Sequence, residues 1–329
     1  MPAHLTDYVL KSPTRLAMPI GVYAGLPLTG ATIQQVVSDP HAQTEAIQAL
    51  DQRFHSDFLL TAMDLSVEAE IFGCAVRWSE NEIPSVAALP GLNLQTLQNL
   101  PTPQPRDGRT RVQLETVSMV AKSKPNVPVI GGMIGPFSLA GRLFGVSQLL
   151  EATLDDPEFV HALIARMSEF LLSYACAFRE AGAQGVVMAE PAAGLLSPRG
   201  LETFSSRYVQ KIVTGAQTSD FSLLLHNCGA KIAHFPKVLL AGAEFFHFGA
   251  PMDLAAAFLQ TPNTVVLAGN LDPTAVFFNA DADEVHARTL ALLETLRPYP
   301  NYVISSGCDL PPGTPLENIK AFYEAVRTG

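Results

Sequence analysis

The sequence predicts an α/β protein, a (β/α)8 TIM barrel forming a single domain over residues 1–329 with an insertion between strands two and three. Three observations predict it. Eight short apolar, β-branched runs recur along the chain, helical patterns lie between most of them, and five of the runs stop at a proline. Strands alternating with helices at this spacing form parallel βα units, and eight such units close a barrel. A doubly wound sheet is the alternative arrangement of the same units.

In order, the runs are 17–23, 57–63, 128–134, 185–189, 222–226, 244–248, 265–268 and 302–305. Helical patterns occupy 156–179, 198–213, 255–259, 282–296 and 315–326. Pro198 after Ser197, and Pro315 before Leu316-Glu317-Asn318, are placed as first-turn prolines, which need no N–H. Gly135-Pro136, Glu190-Pro191, Ala250-Pro251, Asp272-Pro273 and Leu310-Pro311 each set a proline just past an apolar run. Proline cannot donate to a ladder, so the strands stop there and the residues before it lie at the carboxyl rim, where barrels keep their chemistry. The stretch 75–126 carries Pro84, Pro90, Pro101, Pro103, Pro105 and Pro125. It is the expected insertion, a hairpin plus a helix at 113–121, and not a domain of its own.

With 329 residues, 48% apolar and only 16% charged, the chain can bury a large core and is no disordered polymer. Lys plus Arg is 21 against 31 Asp plus Glu, a net charge of −10, which argues against nucleic acid or an anionic membrane as partner. The longest uncharged stretches, 16–38 and 83–105, are broken by prolines and glycines or polar residues and are not spanning helices. The opening MPAHLTDYVLKS lacks the apolar segment of a secretion signal, and four cysteines make no disulfide scaffold. A cytoplasmic enzyme is the expectation.

The densest chemistry lies in His226-Asn227-Cys228-Gly229 and, much later, Ser306-Gly307-Cys308-Asp309. Two apart on an extended backbone, His226 and Cys228 project to one side. They close the fifth run and Cys308 closes the eighth, so three ligands converge at the mouth as a His-Cys-Cys set. Such a set suits zinc with one position left open, the pattern of a catalytic rather than a structural site. The alternative is that these thiols are small core residues, which is the reading for Cys74 and Cys176 in apolar helical surroundings. Among rim carboxylates, Asp64 and Glu68 stand one helical turn apart and Glu190 ends the fourth run. They serve as general base, as partner of His226 or as occasional ligand, or else they cap helices. Asp272 before Pro273 has the look of a cap, Asp309 follows Cys308, and His247 either lines the pocket or sits satisfied in the core. Phosphate-loop and nucleophile-elbow motifs are absent, and Gly131-Gly132-Met133-Ile134-Gly135 is not a dinucleotide fingerprint.

The strings His226-Asn227-Cys228-Gly229, Ala268-Gly269-Asn270-Leu271-Asp272-Pro273 and Ser305-Ser306-Gly307-Cys308-Asp309-Leu310-Pro311-Pro312-Gly313-Thr314-Pro315 resemble the uroporphyrinogen decarboxylase superfamily. Within it the pattern is similar to the zinc-dependent corrinoid methyltransferases, the methylcobamide:coenzyme M methyltransferase type. Ile134-Gly135-Pro136-Phe137-Ser138 and Glu190-Pro191 agree more loosely. The resemblance implies a (β/α)8 barrel, a zinc ion on His226, Cys228 and Cys308, and a partner protein that presents a corrinoid (methylcobalamin). It also implies a small-molecule methyl acceptor or donor, with a thiol acceptor favoured. The reverse direction, from a donor such as a methoxylated aromatic to the corrinoid, is the variant. The decarboxylases proper lack the His-Cys-Cys pattern and bind a polyanionic porphyrinogen through an arginine-bearing N-terminal motif. Here only Arg15 stands in that stretch. The expectation for the carboxylates is that Asp64, Glu68 and Glu190 face one cavity and that at least one supports His226 or the zinc.

Overall fold

The computed structural model describes residues 4–80 and 82–329. Its strands are β1 (Leu59–Leu60), β2 (Val76–Arg77), β3 (Ser85–Val86), β4 (Val129–Ile134), β5 (Gly185–Ala189), β6 (Ser222–Asn227), β7 (Phe245–Phe248), β8 (Val266–Leu271) and β9 (Tyr302–Ser306). Seven of them form one sheet in the order β1-β4-β5-β6-β7-β8-β9, with every pairing parallel. Chain order equals spatial order, with helices between successive strands, so the sheet is a continuous run of βα units. β2 and β3 pair separately as an antiparallel hairpin, which with the helix Thr110–Ser123 occupies the proline-rich stretch. Among the described residues, no helix is long and apolar enough to cross a membrane.

The first two expected strands are much shorter than their apolar runs. The run 17–23 contributes one parallel bridge, Ala17 to Ile304 on β9, with Met18 N–H donating to the Ile304 carbonyl at 2.9 Å. Pro19 then removes the next donor, Ile20 N–H turns to Ser306 Oγ at 3.0 Å, and Val22–Gly25 winds into a 3₁₀ turn. In the run 57–63, side chains stand in for the ladder beyond β1. Thr61 Oγ1 accepts from Gly132 N–H at 2.9 Å, and Gln43 Oε1 accepts from Ala62 N–H at 3.0 Å. Between these two segments, Asp57 Oδ2 accepts the Ala17 N–H at 2.8 Å.

Alternation along the strands positions the site. Ile130, Val187, Leu224, Phe245, Val266 and Val303 belong to one buried cluster inside the curled sheet. A larger cluster fills the layer between sheet and helices. Two residues beyond an inward position comes the next inward position. On β6, β7 and β9 those residues are His226, His247 and Ser305; on β5 and β8 they are Ala189 and Ala268, both in the interior cluster. The inner wall therefore changes from bulky apolar to polar and small toward the carboxyl ends.

Helix starts follow local chemistry. Ser197 caps Pro198–Leu201 by accepting from Gly200 N–H, and Asp272 accepts from Thr274 and Ala275 N–H at the turn beginning with Pro273. Pro315 stands one residue earlier than expected, at the cap of Leu316–Thr328.

Candidate metal centre

The side-chain donor atoms of His226, Cys228 and Cys308 all lie within 4.8 Å of one another. His226 is in-register with His247 on β7, and Cys228 follows just past the end of β6. The loops that carry the thiols nest closely because glycines let them. A Cβ on Gly249 would strike the Cys228 carbonyl, and one on Gly307 would stand 2.8 Å from Ala250 N. Cys228 accepts a hydrogen bond from the Cys308 thiol. Its hydrogen bond to Cys308 brings Cys228 down to about 7 against the effect of burial. That same bond, then burial, pushes Cys308 up to about 12. A thiol brought down as Cys228 is meets a thiophilic cation largely as its thiolate near neutral pH. One imidazole and two thiols with donor atoms this close form a set of the kind that suits zinc with a fourth position open.

The ring of His226 is held from behind by another histidine. Its Nδ1 lies 2.7 Å from Nδ1 of His247, with ring planes at 64°. His247 is fully buried, and its Nε2 lies 2.8 Å from Ser305 Oγ, which donates to the Met18 carbonyl at 2.5 Å. Burial and the neighbouring His226 hold His247 well below the ordinary imidazole value. In sequence this residue reads equally as pocket or core, and the register of β6 on β7 brings it to the site.

The three expected carboxylates are each engaged elsewhere. Asp64 takes the Arg109 guanidinium together with Ser66 N–H at 2.9 Å and Ser66 Oγ–H at 2.6 Å. Arg109 also binds Glu70 at 2.6 Å and lies over the Trp78 ring. Glu190 accepts from Phe137 N–H, Ser138 N–H and Ser138 Oγ–H at 2.7–2.9 Å, capping the helix Pro136–Phe144. Alternation explains this placement, since Ala189 belongs to the interior cluster and its neighbour leaves the other side. Gly135 makes room for it, because a Cβ there would collide with the Glu190 side chain. Glu68 Oε1 accepts from Ile134 N–H at 3.0 Å. The partner of His226 Nδ1 is thus His247 and none of these carboxylates.

Several buried polar atoms near the strand ends have no hydrogen-bond partner among the described residues: Glu68 Oε2, the Tyr23 hydroxyl and both carboxyl oxygens of Asp309. Burial, then the charges of Asp309 and Asp64, push the Tyr23 hydroxyl well up, which sets these groups in one electrostatic neighbourhood. Burial likewise pushes Asp309 well up, with Cys308 adding to it. Buried polar groups are normally matched, so this end of the sheet carries unused polar capacity.

Burial also pushes Glu68 up to about 7, with the Ile134 hydrogen bond opposing it. An unfolded Glu loses its proton near ~4.3, whereas folded Glu68 keeps it to about 7, so its contribution to stability is complete in acid and lost as pH climbs through that window. Glu68→Gln retains an acceptor for Ile134 N–H and removes the acid. The variant should unfold at higher denaturant than wild type at pH 8 and at a similar concentration at pH 4; equal midpoints at both would count against the buried acid.

The family described as uroporphyrinogen decarboxylase (URO-D) matches residues 11–329. The chain is 26% identical over 311 residues to a methylcobamide:CoM methyltransferase, MtbA, of Methanosarcina acetivorans, covering 90% of each chain. It is 24% identical to a uroporphyrinogen decarboxylase of Pseudoalteromonas atlantica, covering 84% of this chain and 79% of that one. Among solved structures, a methyltransferase from Methanosarcina mazei shares the fold, with a TM-score of 0.88 at 23% identity over 98% of this chain and 97% of that one.

Proposed function

The chain belongs to the uroporphyrinogen decarboxylase family, and from that premise we propose that it is a corrinoid-dependent methyltransferase that carries a methyl group between a protein-bound corrinoid and a small thiol. The observation that carries the reading is the convergence of His226, Cys228 and Cys308 at the carboxyl ends of β6 and β9. We read the fold as a (β/α)8 barrel in one domain, its first strand reduced to the Ala17 bridge, with the stretch between β1 and β4 as its insertion.

The chain's own residues divide the work. His226, Cys228 and Cys308 would hold zinc and leave a position open toward the mouth. Bound there, zinc would favour the thiolate form of an incoming thiol, the form that attacks a methyl group. Loading the site means that both cysteines bind as thiolates and give up their protons. Below His226 the interior wall is apolar. A corrinoid carrier protein would approach the open carboxyl rim, since the opposite end of the sheet holds none of these ligands.

The basic residues weigh against the decarboxylase alternative. Arg15 is bound to the backbone carbonyls of Tyr299 and Tyr302 at 2.7 and 2.8 Å and stacks on the Tyr302 ring, at the amino end of β9. Arg109 is neutralised by Asp64 and Glu70. Neither is available to a porphyrinogen's carboxylates, which call for free guanidinium groups. Offering methylcobalamin with a panel of thiols, and separately uroporphyrinogen, tests the class. Loss of the cobalt-bound methyl, seen by absorbance, is expected; carbon dioxide release from the porphyrinogen would reverse the assignment.

A further inference from the structure

The contacts around His247 determine where its protons are. Ser305 has a single hydroxyl proton, and its Oγ lies 2.5 Å from the Met18 carbonyl and 3.0 Å from the Ser306 carbonyl. Two oxygens 2.5 Å apart need a proton between them and a carbonyl has none to give, so the hydroxyl proton points at Met18 and Ser305 Oγ is left to accept from the histidine 2.8 Å away. His247 therefore carries its hydrogen on Nε2. Two ring nitrogens 2.7 Å apart hold one proton between them. With Nε2 of a neutral His247 protonated, its Nδ1 is bare and the shared proton belongs to His226 Nδ1. His226 then has its lone pair on Nε2.

We propose that His247 is a positioning residue that fixes His226 in the Nδ1–H tautomer and so presents a bare Nε2 to the metal; this rests on reading His226, Cys228 and Cys308 as a metal site. The fold is arranged for it. His226 and His247 are directly paired in the β6–β7 register, and both are inward positions. Between His247 and Ser305 lies β8, whose inward residue opposite His247 is Ala268, small enough to let the imidazole reach across to β9. His247 is completely buried with both ring nitrogens in contact, so it neither meets solvent nor has a free nitrogen of its own for a ligand. Unlike a carboxylate in this position, a neutral imidazole orients the ligand without adding negative charge beside two thiolates.

The test uses the full chain. In zinc-free protein labelled with nitrogen-15 in its histidines, long-range proton–nitrogen correlation is expected to show His226 protonated at Nδ1 and His247 at Nε2. A bare Nδ1 on His226 would overturn the inference without any metal being involved. Zinc affinity, measured by competition with a chromophoric chelator, is expected to fall roughly tenfold to a hundredfold in His247→Leu, the usual effect of removing such a partner. His247→Asn, whose amide oxygen can accept from His226 Nδ1–H, is expected to recover most of that loss, and it serves as the informative variant should His247→Leu fold poorly. Wild type binding zinc while both His247 variants bind it as tightly would refute the role of His247 alone. A wild type that takes up no zinc, or a His226→Ala variant that binds as well as wild type, would remove the metal reading and this inference with it.

Discussion

Cys308→Ala is expected to lose its zinc on dialysis against a chelator that leaves the wild-type protein loaded, and with it the demethylation of methylcobalamin. Cys308 is one of the three residues of the candidate donor set found among the described residues. Its removal leaves an imidazole and one thiol, too few to hold zinc at an open site. Cys228→Ser should behave alike. Cys176→Ala should keep both metal and activity, because Cys176 packs against the apolar cluster on the long helix Pro157–Ala181 and lies outside the donor set. Metal analysis by mass spectrometry, with thiol titration as a check on folding, reads all three. Zinc retained in full by Cys308→Ala would remove that ligand from the assignment. Since both thiols must lose their protons to bind, zinc affinity should also weaken as pH falls.

Arg109→Leu is expected to destabilise the protein more than any of the substitutions above. The Asp64 side chain is fully buried and that of Arg109 is 9% exposed. Taking away the guanidinium leaves Asp64 with an unmatched charge and also frees Glu70 and Ser66, a change that costs about 3–5 kcal/mol when a buried pair is broken. The pair ties the segment after β1 to the helix Thr110–Ser123, so its loss loosens the wall that carries Glu68. Adding Asp64→Asn to Arg109→Leu removes the stranded charge and should restore a substantial part of the denaturation midpoint. Additive losses in the double variant would show that the two residues do not act as a buried pair.

The fold was largely legible because most strands announce themselves twice, by an apolar run and by a proline or glycine at its end. β4 through β9 fall on the expected runs to within a few residues. The weak places were those where side chains replaced backbone pairing. Nothing in the run 17–23 says that Ser306 Oγ will take the Ile20 N–H, or that Asp57 will take the Ala17 N–H 40 residues away. Strand length is set there by partners remote in sequence.

The convergence of His226, Cys228 and Cys308 was legible for a simple reason: spacing of two on a strand end puts His226 and Cys228 on one side, and Cys308 ends a strand on the same rim. The contacts of the carboxylates were not. A rim position says that a group is near the mouth but not which way it faces. Glu190 follows an inward alanine and goes to a helix start, and the glycine that admits it lies on another strand. Asp64 meets an arginine 45 residues later, across the proline-rich stretch. The pairing of His226 with His247 depends on strand register, on the small Ala268 and on the hydroxyl of Ser305 together, and no local pattern contains all three.

Methyl transfer at a zinc site is tested most directly by following the methyl group itself. Methylcobalamin labelled in its methyl carbon is incubated with a thiol and either zinc-loaded or chelator-stripped protein, and both the demethylated cobalamin and the methyl thioether are measured. The two products are expected in equal amounts with the loaded wild type, and neither above background with stripped protein or with Cys228→Ser. Thioether formed equally well by the stripped protein, or no transfer to any thiol alongside decarboxylation of uroporphyrinogen, would contradict the proposed function.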